Sequence, residues 1–179
     1  ASISNSPQLF AHNASNIKNM NLKPVFYTLE EWSFQLQTFI QSFSLVFFVL
    51  LFLKFSLIYN LLINSWLPFL NLFVFLYWFP VIICLISVRF NDVAQLVPIV
   101  LQLVFLTSPI LYTRDSLGSL SWITNYNFIY QIIDPLRDSI IEGFVNYKES
   151  LIILLFNLVG LFITVILLNY ESKKLPFLV

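Results

Sequence analysis

Asp134, Asp138 and Glu142 fall at i, i+4 and i+8, so a helix through them would carry three carboxylates on one face. Carboxylates held that close could pass a proton between them as general acid and base. A solvated helix face is the plainer reading. Arg89 and Asp92 form a second charged place, a compact turn wedged between apolar segments. A charge at such a boundary must snorkel to water or find a partner, and Asp92 is within helical reach of Arg89. Little else has the residue types for catalysis. His12 and Cys84 are each alone of their kind, which excludes a zinc-type ligand cluster and an internal disulfide. The glycines, Gly118, Gly143 and Gly160, lie too far apart for a phosphate-cradling loop, so the chain does not bind and split a nucleotide by itself.

The elements that must position these groups are membrane helices. Hydrophobic residues make up 59% of the 179 and charged ones 10%, too few to coat a water-facing shell. The solvent is therefore lipid. A net charge of zero gives no case for a nucleic-acid partner. The sequence starts at Ala1 in a polar stretch without the features of a signal peptide, and is expected to be the later part of a longer chain.

In chain order, residues 1–33 read as a leader, with an amphipathic helix near Leu9 to Ile17 and Pro7 at its first turn. Phe34 to Leu53 is the first span. Gln35, Gln37, Thr38, Gln41, Ser42 and Ser44 load its first half, and such groups are expected to face protein rather than lipid. Tyr59-Asn60 and Asn64-Ser65-Trp66 mark a turn. Leu67 to Val88 is the second span and Val93 to Tyr112 the third, interrupted by Pro98 and Pro109. Ser150 to Tyr170 is the fourth.

Between the third and fourth spans, residues 113–149 are too charged to cross a membrane and too apolar to be a free loop. Phe128, Ile132, Ile133, Leu136, Ile140 and Ile141 recur at helical spacing, opposite Gln131, Asp134, Arg137, Asp138 and Glu142. Asp134-Pro135 could begin that helix or kink one already started, and Gly143 could end it. Such a segment lies in the interface or dips into it as a re-entrant element. Lys18, Lys23, Arg89, Lys173 and Lys174 share one side, against Lys54, Arg114, Arg137 and Lys148 on the other. The first set is the more basic and is expected to be cytoplasmic.

Val88-Arg-Phe-Asn-Asp-Val93, Leu96-Val-Pro98 and Ser108-Pro-Ile-Leu-Tyr112 resemble the signature of ABC type-2 permeases that export polysaccharides such as O-antigen, capsule or teichoic acid. Asn125-Tyr-Asn-Phe128 with Asp134-Pro-Leu-Arg137-Asp138 resembles that family's Asn-Pro stretch and the helix after it. Asn13-Ala-Ser-Asn-Ile-Lys18 resembles its cytoplasmic segment between the second and third helices. Asn91 and Phe128 depart from the pattern, standing where the family usually has a basic residue and a proline. The resemblance implies an all-α polytopic fold, with four of six membrane helices present. It implies a homodimer in a bacterial inner membrane, paired with two separate ATPase subunits that hold the ATP and Mg, and a lipid-linked glycan as substrate. No cofactor, metal or catalytic residue would belong to this chain. Asn13, Asn16, Ile17 and Lys18 would lie near the ATPase contact, and Arg89 and Asp92 at the cytoplasmic entrance. Pro109, Tyr112, Tyr126, Tyr130, Arg137 and Asp138 would form the outer gate. Alternatives are a type-2 permease for a drug or lipid, and a membrane-embedded glycan-processing enzyme.

Overall fold

In lipid, long uncharged runs can satisfy their backbone polar groups only by closing hydrogen bonds within the segment, which means helices. The computed structural model describes residues 2–19, 22–53, 55–108 and 126–178, and every regular element among them is helical. The leader forms α1 (Ser2–Asn5), a 3-10 turn (Ser6–Gln8), α2 (Leu9–His12) and α3 (Ala14–Asn19). The membrane elements are α4 (Pro24–Leu53), α5 (Phe55–Ile63), α6 (Trp66–Arg89), α7 (Val93–Thr107) and α9 (Tyr147–Glu171). Between α7 and α9 lies α8 (Phe128–Ile141), and α10 (Leu175–Leu178) follows the last long helix.

Three of these, α4, α6 and α9, are long and apolar enough to cross a bilayer, and α7 is a shorter apolar helix of 15 residues. At 1.5 Å per residue, α6 with 24 residues reaches about 36 Å, enough for a hydrocarbon core of about 30 Å. The expected end of the third span at Tyr112 lies outside the described residues.

The central element is α6, which packs on α9, α8, α4, α5 and the leader. Two cores result. At the leader end, Phe10, Ile17 and Tyr27 meet Val81, Cys84 and Leu85 of α6, Leu168 of α9 and Leu175 of α10. Phe10 is fully buried, which contributes roughly 1.5–3 kcal/mol for a side chain of its kind. The leader is thus part of the folded body. Its apolar contacts, Phe10 and Ile17, fall seven residues apart on one face, as an amphipathic helix requires. That helix is broken at Asn13, whose Nδ2 donates to the Leu9 carbonyl (3.0 Å). The second core joins Phe75 and Trp78 to Ile132 of α8.

Two boundaries differ from the sequence reading. The first long helix begins at Pro24, well before the apolar run, because a proline at a helix start loses no intrahelical bond. Tyr59 and Asn60 lie inside α5, so only Asn64 and Ser65 turn the chain. Asn60 serves a tertiary contact instead of a turn, as described below.

Candidate functional site

The seam between α6 and α9 is the most extensive helix pairing, and it is polar at its centre. Trp78 Nε1 donates to Asn157 Oδ1 (2.9 Å), Asn157 Nδ2 to the Asn71 carbonyl (3.0 Å), and Asn71 Nδ2 to the Ser150 carbonyl (2.8 Å). Thr164 Oγ1 donates within α9 to the Gly160 carbonyl (2.8 Å). Gly160 lets the helices close up, since a Cβ there would stand 2.5 Å from Trp78 Cε2. Asn71, Asn157 and Thr164 are all buried. The ladder is a lock between helices, within which Asn71 Oδ1 and Ser150 Oγ are buried without a hydrogen-bond partner among the described residues.

At the leader end of the same pair, Arg89 closes α6 and Glu171 closes α9. An Arg89 guanidinium N–H donates to a Glu171 carboxylate oxygen. The sequence offered Asp92 as the nearest partner for Arg89. The structure pairs Arg89 with Glu171 because that side of α6 abuts α9, whereas Asp92 lies past the helix end, is exposed, and precedes α7. Asp92 has no ion pair among the described residues. Beside this turn is an open cleft of about 430 Å³ between the leader, the hairpin and α10, lined by Gln8, Ala11, Ser87, Asn91, Ala94 and Leu178 among others. It brings the leader next to the Arg89 hairpin. Of the leader residues singled out above, Ile17 is buried, Asn13 half-buried, and Asn16 and Lys18 exposed.

At the far end, α8 is strapped by neutral side chains. Asn127 caps it, its Oδ1 accepting from Tyr130 N (3.1 Å), while its Nδ2 donates to Ser108 Oγ (2.7 Å) and the Val104 carbonyl (3.1 Å) of α7. At the other end Asn60 Nδ2 donates to the Ile140 carbonyl (3.3 Å) and Asn64 Nδ2 to the Gly143 carbonyl (3.0 Å). Ser65 and Ser139 join hydroxyls at 2.9 Å. Gly143, at φ 70°, ends the segment in the left-handed region that favours glycine.

The helix starts at Phe128, so Pro135 sits in its interior and Asp134 does not cap it. Of the apolar stripe, Phe128 and Ile132 pack into the core with Ile129, while Ile133, Leu136 and Ile140 are half-buried and Ile141 is exposed. Tyr126 and Arg137 are exposed, and Tyr130 is buried. Burial, then the carboxylates of Asp134 and Glu142, raise the Asp138 pKa, with Arg137 pulling it partly back. Pro109 and Tyr112 lie outside the described residues. No cluster of histidine, cysteine and acidic residues that could hold a metal occurs among the described residues.

The polar half of α4 stays uncovered. Gln37, Thr38, Gln41, Ser42 and Ser44 are exposed in the single chain, where protein contact was expected. Gln35 is half-buried and bonds Glu31 on its own helix (2.8 Å).

Several positioning residues escaped the sequence reading: Asn71, Asn157, Gly160 and Thr164 in the seam, Asn60, Asn64 and Asn127 around α8, and Glu171. A usable signal did exist for the seam. Asn157, Gly160 and Thr164 fall at i, i+3 and i+7 in a helix otherwise made of large apolar residues.

Three membrane-length helices, a shorter fourth and no other class of element among the described residues define an all-α, multi-pass membrane protein. No protein-family model matches the sequence. The chain is 32% identical over 101 residues to the O-antigen export system permease protein RfbA of Klebsiella pneumoniae. That stretch is 56% of this chain and 38% of the relative, so the match spans well under half of the other protein.

Proposed function

We propose that this chain is the membrane permease part of an ATP-driven ABC exporter that moves a lipid-linked polysaccharide of O-antigen, capsule or teichoic-acid type across a bacterial inner membrane. The observation that carries the reading is the 32% identity over 101 residues to an O-antigen export permease. The helical membrane body is compatible with it. In this reading the chain is a transport subunit and not an enzyme, two copies enclose the path, and two ATPase subunits hold ATP and Mg.

The geometry suggests how the parts would divide the work. The leader is anchored by Phe10 and Ile17 and presents Asn16 and Lys18 outward, which suits a contact that receives force from an ATPase. Because its anchors sit against α6 and α9, movement there would reach the Arg89–Glu171 end of both helices. Arg89, about half exposed, and Asp92 would sit at the cytoplasmic entrance, near where the lipid-linked substrate enters. At the outer end, α8 with Tyr126, Tyr130, Arg137 and Asp138 would form the gate together with Pro109 and Tyr112.

Deleting the gene in its native host tests this reading. The expected result is loss of a surface polysaccharide with its lipid-linked precursor accumulating inside, restored by the gene in trans. Normal surface glycan together with loss of resistance to a drug would favour a type-2 permease with another cargo. A glycan that reaches the surface but is altered in structure would point to a glycan-processing enzyme.

A further inference from the structure

Pro80 lies inside α6, a helix that runs unbroken from Trp66 to Arg89. Proline has no N–H, so the Leu76 carbonyl, four residues back, lacks its usual helix donor, and the proline ring crowds it. In a membrane helix such a freed carbonyl is taken up by a side chain, a neighbouring helix or an ordered water. Leu76 and Pro80 both border a small cavity of about 20 Å³ where α6, α4 and the leader meet. A water needs roughly 10–15 Å³ and two to four polar partners. The space therefore suits one molecule of that size.

The rest of the lining sets the hydrogen bonds an occupant must make. Leu9 and Val81 are apolar, whereas Ser2, Ser6, Thr28, Glu31, Trp32 and Tyr77 are polar. Ser6 and Thr28 are buried, and each spends its hydroxyl proton on a backbone carbonyl, of Ile3 (2.8 Å) and Val25 (2.9 Å) respectively. Their oxygens are left as acceptors. The Trp32 indole N–H goes to the Phe73 carbonyl (3.2 Å), and a Glu31 carboxylate oxygen accepts from Gln35 (2.8 Å). The Tyr77 hydroxyl stands 3.4 Å from Thr28 Oγ1, long for a bond between two hydroxyls. A bridging molecule must thus give protons to the Leu76 carbonyl and a hydroxyl oxygen, and accept one from Tyr77. Water does both within that volume, whereas a metal ion accepts no hydrogen bond.

We propose that this cavity binds one water molecule, which donates to the Leu76 carbonyl and to Thr28 Oγ1 and accepts from the Tyr77 hydroxyl. The water takes the place of the helix bond that Pro80 omits. It ties α6 to α4 beside the direct bond from Trp32, and it does so against the leader, through the wall that Ser2 and Ser6 supply. The joint belongs to the central helix and stands whatever the cargo is.

X-ray radiolytic footprinting of the whole protein in nanodiscs tests this, because radicals formed from a bound water modify the side chains that touch it. After correction for intrinsic reactivity, Tyr77 and Leu76 are expected to be modified several times faster than Phe79. Phe79 is half-buried like them, but it borders a cleft with no polar lining. Thr28→Val keeps the shape and removes one acceptor, so the Tyr77 rate should fall towards that of Phe79, whereas Thr38→Val, elsewhere on α4, should leave it unchanged. Equal corrected rates at all three positions in the wild type overturn the proposal, and that comparison needs no variant to fold. A fast Tyr77 rate that survives Thr28→Val in folded protein also overturns it. A Tyr77 rate that is slow in sodium buffer and rises when N-methylglucamine replaces the sodium would assign the cavity to a cation and overturn the water.

Discussion

On α9 the polar and small residues Asn157, Gly160 and Thr164 form a stripe one side chain wide, and α6 covers all of it. On α4 the polar residues from Gln35 to Ser44 spread over about half the circumference of the helix, and most are exposed. The bonds that cross between helices differ too. Asn157 reaches across to Trp78 and Asn71, whereas Thr38 and Ser44 donate to carbonyls of their own helix, those of Phe34 (3.0 Å) and Gln41 (2.7 Å). A narrow stripe can be matched by one neighbouring helix, and a broad arc cannot. The width of a polar face thus separates a lock from a surface that one neighbour cannot cover.

The sharpest way to break this contrast is at Gly160. Gly160→Ala puts a methyl group 2.5 Å from the Trp78 ring, whose Nε1 is held by Asn157, so neither partner can give way easily. The expected loss is about 1–3 kcal/mol, as for other overpacked cores. It should appear as a lower melting temperature in detergent and less monodisperse protein. Asn157→Leu should follow at a similar scale, because it strands the buried Trp78 donor. Wild-type melting for both variants would mean the seam is not the lock described.

Next comes the ion pair at the end of the same two helices. Arg89→Ala leaves the Glu171 carboxylate, 9% exposed, without its cation. Since Arg89 itself is half exposed, solvent screening limits the loss to about 1 kcal/mol. Glu171→Gln in the same chain should recover part of it, so the double variant should lose less than the two singles added together. Strict additivity would show that the pair is not coupled in solution.

The same width argument explains what was legible in the sequence. Lipid leaves the backbone no choice but helix, so the long spans were readable from uncharged runs, and α6 and α9 fall within a few residues of expectation. The anchoring of the leader was half readable. Phe10 and Ile17 have amphipathic spacing, but nothing local says that Leu175, over 150 residues on, covers them. Arg89 illustrates the limit. Local spacing offered Asp92, three residues away, whereas the partner chosen by packing, Glu171, is 82 residues distant. Asn60 and Asn127 look like turn residues in the sequence. They become straps only because α8 passes within reach of their amides.

The acidic side of α8 provides a smaller test, one that depends on pH. The Asp138 pKa is raised in the fold, first by burial and then by Asp134 and Glu142. Its ionisation therefore opposes folding at neutral pH, and the penalty fades as pH falls through the folded pKa towards the ordinary value near about 4. Asp138→Asn should melt higher than wild type at pH 7, with the advantage shrinking as the pH approaches 4. An advantage that grows on acidification would mean the carboxylate is stabilised by a partner instead of repelled.

The smallest effect is expected on α4, and there a null result is the informative one. Ser44→Ala removes a hydroxyl that serves only its own helix, and alanine is the better helix former. Thr38→Val removes a similar back-bond with little change in shape. Both should fall within about 0.5 kcal/mol of wild type, the range for surface positions away from packing. If α4 is covered in the assembled protein, the hydroxyls would lose partners across that contact, and stranding a buried polar group costs about 1–3 kcal/mol. Melting curves of the two variants, taken in detergent and again in the assembled complex, separate these cases. Silence in both settings would leave the polar arc of α4 without a bonding protein neighbour, the opposite of the α9 seam. A loss confined to the complex would show that the arc is a second lock, closed by a neighbour.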